Sequence, residues 1–285
     1  MDNSFIVRFP FDQYVSAFDL DVEYVFLLAR LTVIKLNQTE NKIVAEKALF
    51  QKEGKSRSLI ADRRFVYVKD FCDLHILEKE TLAPFQKLQL GTDLSSDICG
   101  MGVDEGYLYL SIRNGSMAKI HTKPPFQTEM YPVTDSSIWN FAIANDFIYA
   151  GNVNGNLLII DKTSMGIVQK IESGNQNLKS VCITGDLLLT ASQDKKMIIR
   201  DVKNYEIIKS LGNVHRKAFS IVGAYEGQIY TLSRACSEIK VWDSKSWKLL
   251  ETIAIPGRCT QARIQEHYIY LAAEDIRGLA YLDLS

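Results

Sequence analysis

The stretch Leu187-Leu188-Leu189-Thr190-Ala191-Ser192-Gln193-Asp194-Lys195-Lys196-Met197-Ile198-Ile199-Arg200-Asp201 reads as two short strands, Leu187–Ser192 and Lys196–Asp201, around the polar turn Gln193-Asp194-Lys195. Leu178–Ile183 precedes it across Thr184-Gly185-Asp186, and Glu206–Leu211 follows it across Lys203-Asn204. β-branched and aliphatic residues fill the strands while Gly, Asn and Asp punctuate them, the pattern of a four-stranded antiparallel meander.

That unit repeats. Its second strand opens on an apolar triplet that recurs as Tyr24-Val25-Phe26, Phe65-Val66-Tyr67, Tyr107-Leu108-Tyr109, Phe147-Ile148-Tyr149, Leu187-Leu188-Leu189, Gln228-Ile229-Tyr230 and Tyr268-Ile269-Tyr270. The middle residues are spaced by 41, 42, 40, 40, 41 and 40 positions. Seven four-stranded units of about 40 residues are the size of propeller blades. No sustained 3.6-residue apolar period appears, so the expectation is an all-β, seven-bladed β-propeller with almost no helix, one domain over residues 1–285. The seventh unit has only Cys259–Ile264, His267–Ala272 and Gly278–Asp283 before Ser285. Residues 5–9, Phe5-Ile6-Val7-Arg8-Phe9, lie ahead of the first inner strand, Val15–Leu20, and are expected to complete the last blade and close the ring.

Composition narrows the function classes. The 285 residues are 47% hydrophobic and 24% charged, with 33 basic and 34 acidic side chains. Near-neutral charge argues against a dedicated nucleic-acid binder. No apolar run approaches the roughly 18 residues of a membrane span, and Met1-Asp2-Asn3-Ser4-Phe5 lacks the build of a signal peptide. Five cysteines, an odd number, fit reduced thiols and a cytoplasmic location, with the nucleus also open.

The segment Tyr230-Thr231-Leu232-Ser233-Arg234-Ala235-Cys236-Ser237-Glu238-Ile239-Lys240-Val241-Trp242-Asp243 resembles a WD40 repeat with its closing Trp-Asp pair. The fifth unit is similar, with Arg200 at the Trp position, and Asp161 and Asp283 close two more units. In units one to three Asn37, Glu78 and His121 stand at that place. The family's buried network joins a His, a turn Asp, a Ser or Thr and the Trp. The fifth unit offers Asp194 without His or Trp; the sixth offers His215 and Trp242 without the turn Asp.

One inner-strand position is mostly small or polar: Ala17, Ser58, Gly100, Asn140, Ser180, Ser220 and Gln261, as expected where seven strands converge. The neighbouring position varies: Ser16, Arg57, Cys99, Trp139, Lys179, Phe219 and Thr260. In WD40 propellers the matching residues point to the rim of one face and contact peptides. The resemblance therefore implies a partner-binding patch of Arg57, Trp139, Lys179 and Phe219, suited to acidic or aromatic-containing segments. The alternative is that Trp139 and Phe219 pack between blades. Turn residues Arg30, Arg113, Asn152, Gln193 and Arg234 border the same face, with solvated turn residues as the plainer reading. Arg216, Lys217 and Arg258 extend a basic arc that is equally readable as ordinary surface.

Catalytic and metal signals are thin. Cys72, Cys99, Cys182, Cys236 and Cys259 have no paired-ligand spacing, and His75, His121, His215 and His267 form no close pair. Gly100-Met101-Gly102 lacks the helix that a phosphate loop requires. Asn114-Gly115 and Asn154-Gly155 read as hairpin turns. The expectation is a non-enzymatic interaction scaffold or adaptor, without cofactor or metal, that docks peptide segments or partner domains. The alternatives are a propeller hydrolase or lactonase with a channel metal, and a nucleic-acid-binding propeller using Arg57, Lys179, Arg216, Lys217 and Arg258.

Overall fold

A strand flanked by neighbours on both faces has no polar side, so it reads as a continuous apolar run rather than an alternation. That is how the second strands read, and in the computed structural model Val25–Ala29, Leu108–Ile112, Ile148–Asn152 and Leu188–Ser192 are buried throughout. The structure describes residues 5–10, 13–52, 57–174 and 176–285, residues 7–10 by their backbone alone.

After β1 (Ile6–Pro10), the first blade contains β2 (Val15–Leu20), β3 (Tyr24–Ala29), β4 (Thr32–Asn37) and β5 (Lys42–Ala48). The second contains β6 (Arg57–Ala61), β7 (Phe65–Asp70), β8 (Asp73–Glu78) and β9 (Pro84–Gln89). The third has β10 (Ile98–Asp104), β11 (Tyr107–Ile112), β12 (Ser116–His121) and β13 (Thr128–Pro132). The fourth has β14 (Ile138–Ala144), β15 (Phe147–Asn152), β16 (Asn156–Asp161) and β17 (Ile167–Glu172). The fifth has β18 (Leu178–Thr184), β19 (Leu187–Ser192), β20 (Met197–Asp201) and β21 (Ile207–Leu211). The sixth has β22 (Ser220–Tyr225), β23 (Gln228–Ser233), β24 (Glu238–Asp243) and β25 (Leu249–Ala254). The seventh has β26 (Cys259–Gln265), β27 (Tyr268–Ala273) and β28 (Gly278–Asp283), with β1 as its outer strand. These seven antiparallel sheets in a ring make a seven-bladed β-propeller. Among the described residues the only helical element is the 3-10 turn Leu94–Ser96.

The expected closure is present: Ile6 pairs with Tyr281 and Pro10 with Gly278. The side chains of Val7 and Phe9, part of that expectation, lie outside the described residues, as do Met1–Ser4.

The chain divides into two compact units, residues 1–96 with 254–285, and residues 97–253. In the first, Val15, Phe18, Val25, Leu27, Tyr270 and Leu279 form one core, and Phe26, Leu28, Leu59, Val66 and Leu82 another. Gln261 reaches from β26 to β2, accepting from Phe18 N (3.0 Å) and donating to Phe18 O (2.8 Å). Asp19 accepts from Ala61 N on β6 (2.7 Å) and pairs with Arg263 on β26. Burial lifts the Asp19 carboxyl above its ordinary value against the pull of Arg263.

In the second unit Asn140 Oδ1 accepts from Val181 N (2.9 Å), and Ser180 Oγ accepts from Ile221 N (3.2 Å). An inner strand is the edge of its own sheet, so its outward N–H groups need partners. The polar residues expected only to be small therefore stitch one blade to the next. Gly100 and Gly102 of β10 instead leave room for Phe141 of β14, whose ring lies 3.2 Å and 2.9 Å from the places their Cβ atoms would take.

Two further sequence expectations change. The sixth blade does complete a buried network, because Glu238, at the start of β24, takes the place of the missing turn Asp. His215 Nδ1 donates to Glu238 Oε1 (2.9 Å), Thr231 Oγ1 donates to His215 Nε2 (2.9 Å), and Trp242 Nε1 donates to Thr231 Oγ1 (3.0 Å). An ionised carboxylate only accepts, which sets the tautomer. Second, Asn37, Glu78 and His121 cap their turns much as Asp161 and Asp201 do. Asp161 Oδ1 accepts from Thr163 N (3.1 Å) and Ser164 N (2.7 Å). Asn37 Oδ1 likewise accepts from Thr39 N (3.0 Å) and Glu40 N (2.8 Å), and His121 Nδ1 from Lys123 N (3.1 Å). At Glu78 a threonine takes over the backbone contact: Thr81 Oγ1 donates to Glu78 Oε2 (3.0 Å) and accepts from Ala83 N (3.1 Å). Any short acceptor serves this geometry, so the Asp is replaceable.

Candidate functional site

The register of the inner strands decides which side chains stand apart. Pairing of the first and second strands slips between Val15 and Ala17, Ile98 and Gly100, Ile138 and Asn140, Leu178 and Ser180, and Cys259 and Gln261. Each slip is a β-bulge that leaves one residue without a ladder partner: Ser16, Cys99, Trp139, Lys179 and Thr260. A bulged residue is re-aimed relative to its neighbours. The short ones turn back on the backbone, Ser16 Oγ donating to Leu28 O (3.0 Å) and Thr260 Oγ1 to Ala272 O (3.1 Å). Trp139 and Lys179 are the long ones, and both are half-buried.

In the second unit these two meet Arg113, from the turn between β11 and β12. The Arg113 guanidinium carbon lies 5.1 Å and Lys179 Nζ 5.6 Å from the Trp139 ring centroid. Two cations against one indole are each worth about 0.5–2 kcal/mol, more as water is removed. Arg113 Nη2 also pairs with Asp97 Oδ2 at 2.7 Å, and that carboxylate raises the guanidinium pKa above its ordinary value. Arg113 is therefore pinned in place. Lys179 pairs with no carboxylate among the described residues. Trp139 Nε1 and Arg113 Nε have no hydrogen-bond partner there either.

The remaining expected residues go elsewhere. Arg57, in the first unit, pairs in register with Asp70, and two of its guanidinium nitrogens are occupied internally, Nε donating to Asp70 Oδ1 (2.9 Å) and Nη2 to Lys52 O (2.7 Å). Its Nη1 has no hydrogen-bond partner among the described residues, and the guanidinium carbon lies 3.6 Å from the Phe50 ring centroid. Phe219 is not a rim residue. It is 3% exposed, packed with Leu189, Met197, Val214 and Trp242, its ring 5.2 Å from His215. The sixth blade slips later, between Ile221 and Gly223, which keeps Phe219 out of a bulge and in the core. Asn152 is also buried, donating to Ser136 Oγ (2.8 Å) and accepting from Asn154 N (3.1 Å) and Asn156 N (2.9 Å), so it builds its turn instead of facing solvent. Gln193 and Arg234 are exposed on the turns β19–β20 and β23–β24.

The sequence reading missed the bulges, because a one-residue slip leaves no mark in a strand's composition. It also missed Asp97 as the residue that orients Arg113. Among the described residues no group of three or more His, Cys, Asp or Glu could hold a metal ion. The five cysteines form no disulfide, and burial pushes the Cys182 thiol up to about 11, away from nucleophilic use at neutral pH. Among the described residues no helix is long and apolar enough to cross a membrane.

No family model matches the chain, and no curated protein matches it by sequence. Solved structures do match by shape. The β-propeller domain of Cps50 (Swd1) from Myceliophteria thermophila superposes with a TM-score of 0.79 at 10% identity, over 99% of this chain and all of that one. The computationally designed Ika8 protein gives 0.69 at 11% identity, over 96% and 97%. At such identities the likeness establishes the fold alone: a seven-bladed β-propeller.

Proposed function

We propose that this propeller is a non-enzymatic protein-interaction platform that docks a partner segment where Arg113, Trp139 and Lys179 converge. The observation carrying the reading is the convergence of two cations on one half-buried indole, with Lys179 lacking a carboxylate partner. Aromatic and arginine side chains with a fixed setting are the kind of anchor that dominates protein interfaces. A carboxylate arriving beside Lys179 supplies the missing counter-charge, so the segment is acidic at that point. The ring's two cations equally disfavour a cationic ligand. The bulges support the same reading, since the local slip in the ladder frees these side chains and re-aims them.

The test is capture of binding proteins, followed by titration of each purified partner against wild type and against Trp139→Ala with Lys179→Ala. Both forms are first matched by thermal melting. Loss of about tenfold or more in affinity supports the site. A partner that binds both forms equally moves the interface elsewhere, and the lack of any saturable protein partner overturns the platform itself.

A further inference from the structure

In an antiparallel meander the first-to-second and third-to-fourth turns lie at one end of the blade. The second-to-third turn, the start of the inner strand and the link from the preceding blade lie at the other. Within the second unit the inner strands β10, β14, β18 and β22 run side by side, so these ends align across four blades. Charge is divided between them.

At the first end every inner hairpin carries an exposed carboxylate: Glu105 and Asp186, paired with Lys162 (3.2 Å) and Lys203 (3.0 Å), and Asp146 and Glu226, which form no ion pair among the described residues. Lys123, Lys245 and Lys248 are exposed on the third-to-fourth turns of the same end. At the other end, on the fifth and sixth blades, stand Lys179, Lys195, Arg216, Lys217 and Arg234. None of these five forms an ion pair among the described residues. The carboxylates nearest them in the fold are already engaged: Asp97 by Arg113, Glu238 by His215, and Asp194 by Ser192 Oγ and Lys196 (3.8 Å). Asp135 and Glu172 are the exposed carboxylates left at that end of the unit. A net charge of −1 for the whole chain conceals this separation.

We infer that the cationic end of the fifth and sixth blades is a docking surface for an acidic protein segment that continues beyond the Trp139 site. The inference rests on the platform reading and names the partner's charge and its path. Cations left unpaired on neighbouring loops raise the local concentration of an oppositely charged partner and speed its encounter. Asp146 and Glu226, the carboxylates without an ion pair on the far hairpins, repel the same partner and so orient it. They also disfavour nucleic acid, whose charge runs on past any small patch, whereas an acidic segment ends where its acidic residues end.

The test is fluorescence anisotropy with three labelled probes: a twenty-residue Asp/Glu-rich peptide, a Lys-rich peptide of equal length, and a single-stranded oligonucleotide of equal charge. Each is titrated at 50 and 200 mM salt against wild type, Trp139→Ala, and the triple variant Arg216→Glu, Lys217→Glu and Arg234→Glu. The expected result is saturable binding of the acidic peptide alone, several-fold weaker at the higher salt. The triple variant loses about tenfold or more. If it unfolds, the corresponding Gln substitutions replace it and a smaller loss is expected. Equal binding by the triple variant, no binding of the acidic peptide, or tighter binding of the oligonucleotide overturns the inference. A natural partner that is lost with Trp139→Ala but kept by the triple variant refutes the charge assignment and leaves the platform standing.

Discussion

Thr231 has one hydroxyl and spends it twice, donating to His215 and accepting from Trp242. His215 is 1% exposed, and burial holds its pKa below the ordinary histidine value, with Glu238 pulling the other way and Lys240 adding to the depression. The folded ring is therefore neutral where the unfolded one, titrating near about 6.5, takes a proton. Below that pH the unfolded chain binds the extra proton, so stability falls as pH drops through about 6.5 and levels off once the folded ring is protonated too. His75 is depressed by burial in the same direction, so the contribution of His215 must be isolated by substitution. Urea midpoints at pH 8 and pH 5.5 are expected to differ more for wild type than for His215→Gln. An equal difference in both would place the charge of His215 outside the stability balance.

At the scale of strands and turns, period and punctuation carried most of the message. The inner strand Val15–Leu20 and the hairpin strand Leu187–Ser192 have the bounds their apolar runs imply. What stayed hidden depends on backbone conformation that many sequences can adopt. Leu82, Met165, Tyr205 and Trp247 each sit four residues past a turn cap with positive φ (57°, 56°, 63° and 60°), an unfavourable setting for bulky side chains. Leu82 and Met165 are buried, and that burial offsets the strain, so the turns lack the glycine that would have marked them. The site divides the same way. Trp139 and Lys179 could be nominated from position, but their freedom from the ladder, and the burial of Phe219 at the equivalent place, follow from a slip of one residue. At Gly155 the glycine is needed: its φ is +81°, and a Cβ there would lie 2.2 Å from Gly174 O. Gly155→Ala is expected to cost about 3 kcal/mol or more through strain and backbone collision together. Chemical denaturation measures it, and a loss under 1 kcal/mol would mean that the turn rearranges freely.

For the molecule as a whole, the arrangement of strands leaves the seventh sheet dependent on β1, which shields the edge of β28. Without it β28 presents a row of unpaired backbone groups, a template for association with other chains. Deleting residues 1–10 is expected to remove about 3–5 kcal/mol, at roughly 1 kcal/mol per hydrogen bond lost, and to turn a monodisperse sample into one that associates. Melting and size-exclusion chromatography check it; an unchanged melting point and elution volume would show that the outer strand is dispensable.

The same pairing has a consequence in time. Ile6 meets Tyr281, which the ribosome adds 275 residues later. At about 5–20 residues per second, the opening strand waits about 15 s to nearly a minute for its partner to be made. Throughout that interval β1 is without its partner strand, and the blades between are assembled in its presence. A cell making this protein must keep β1 from finding another partner until β28 has left the ribosome.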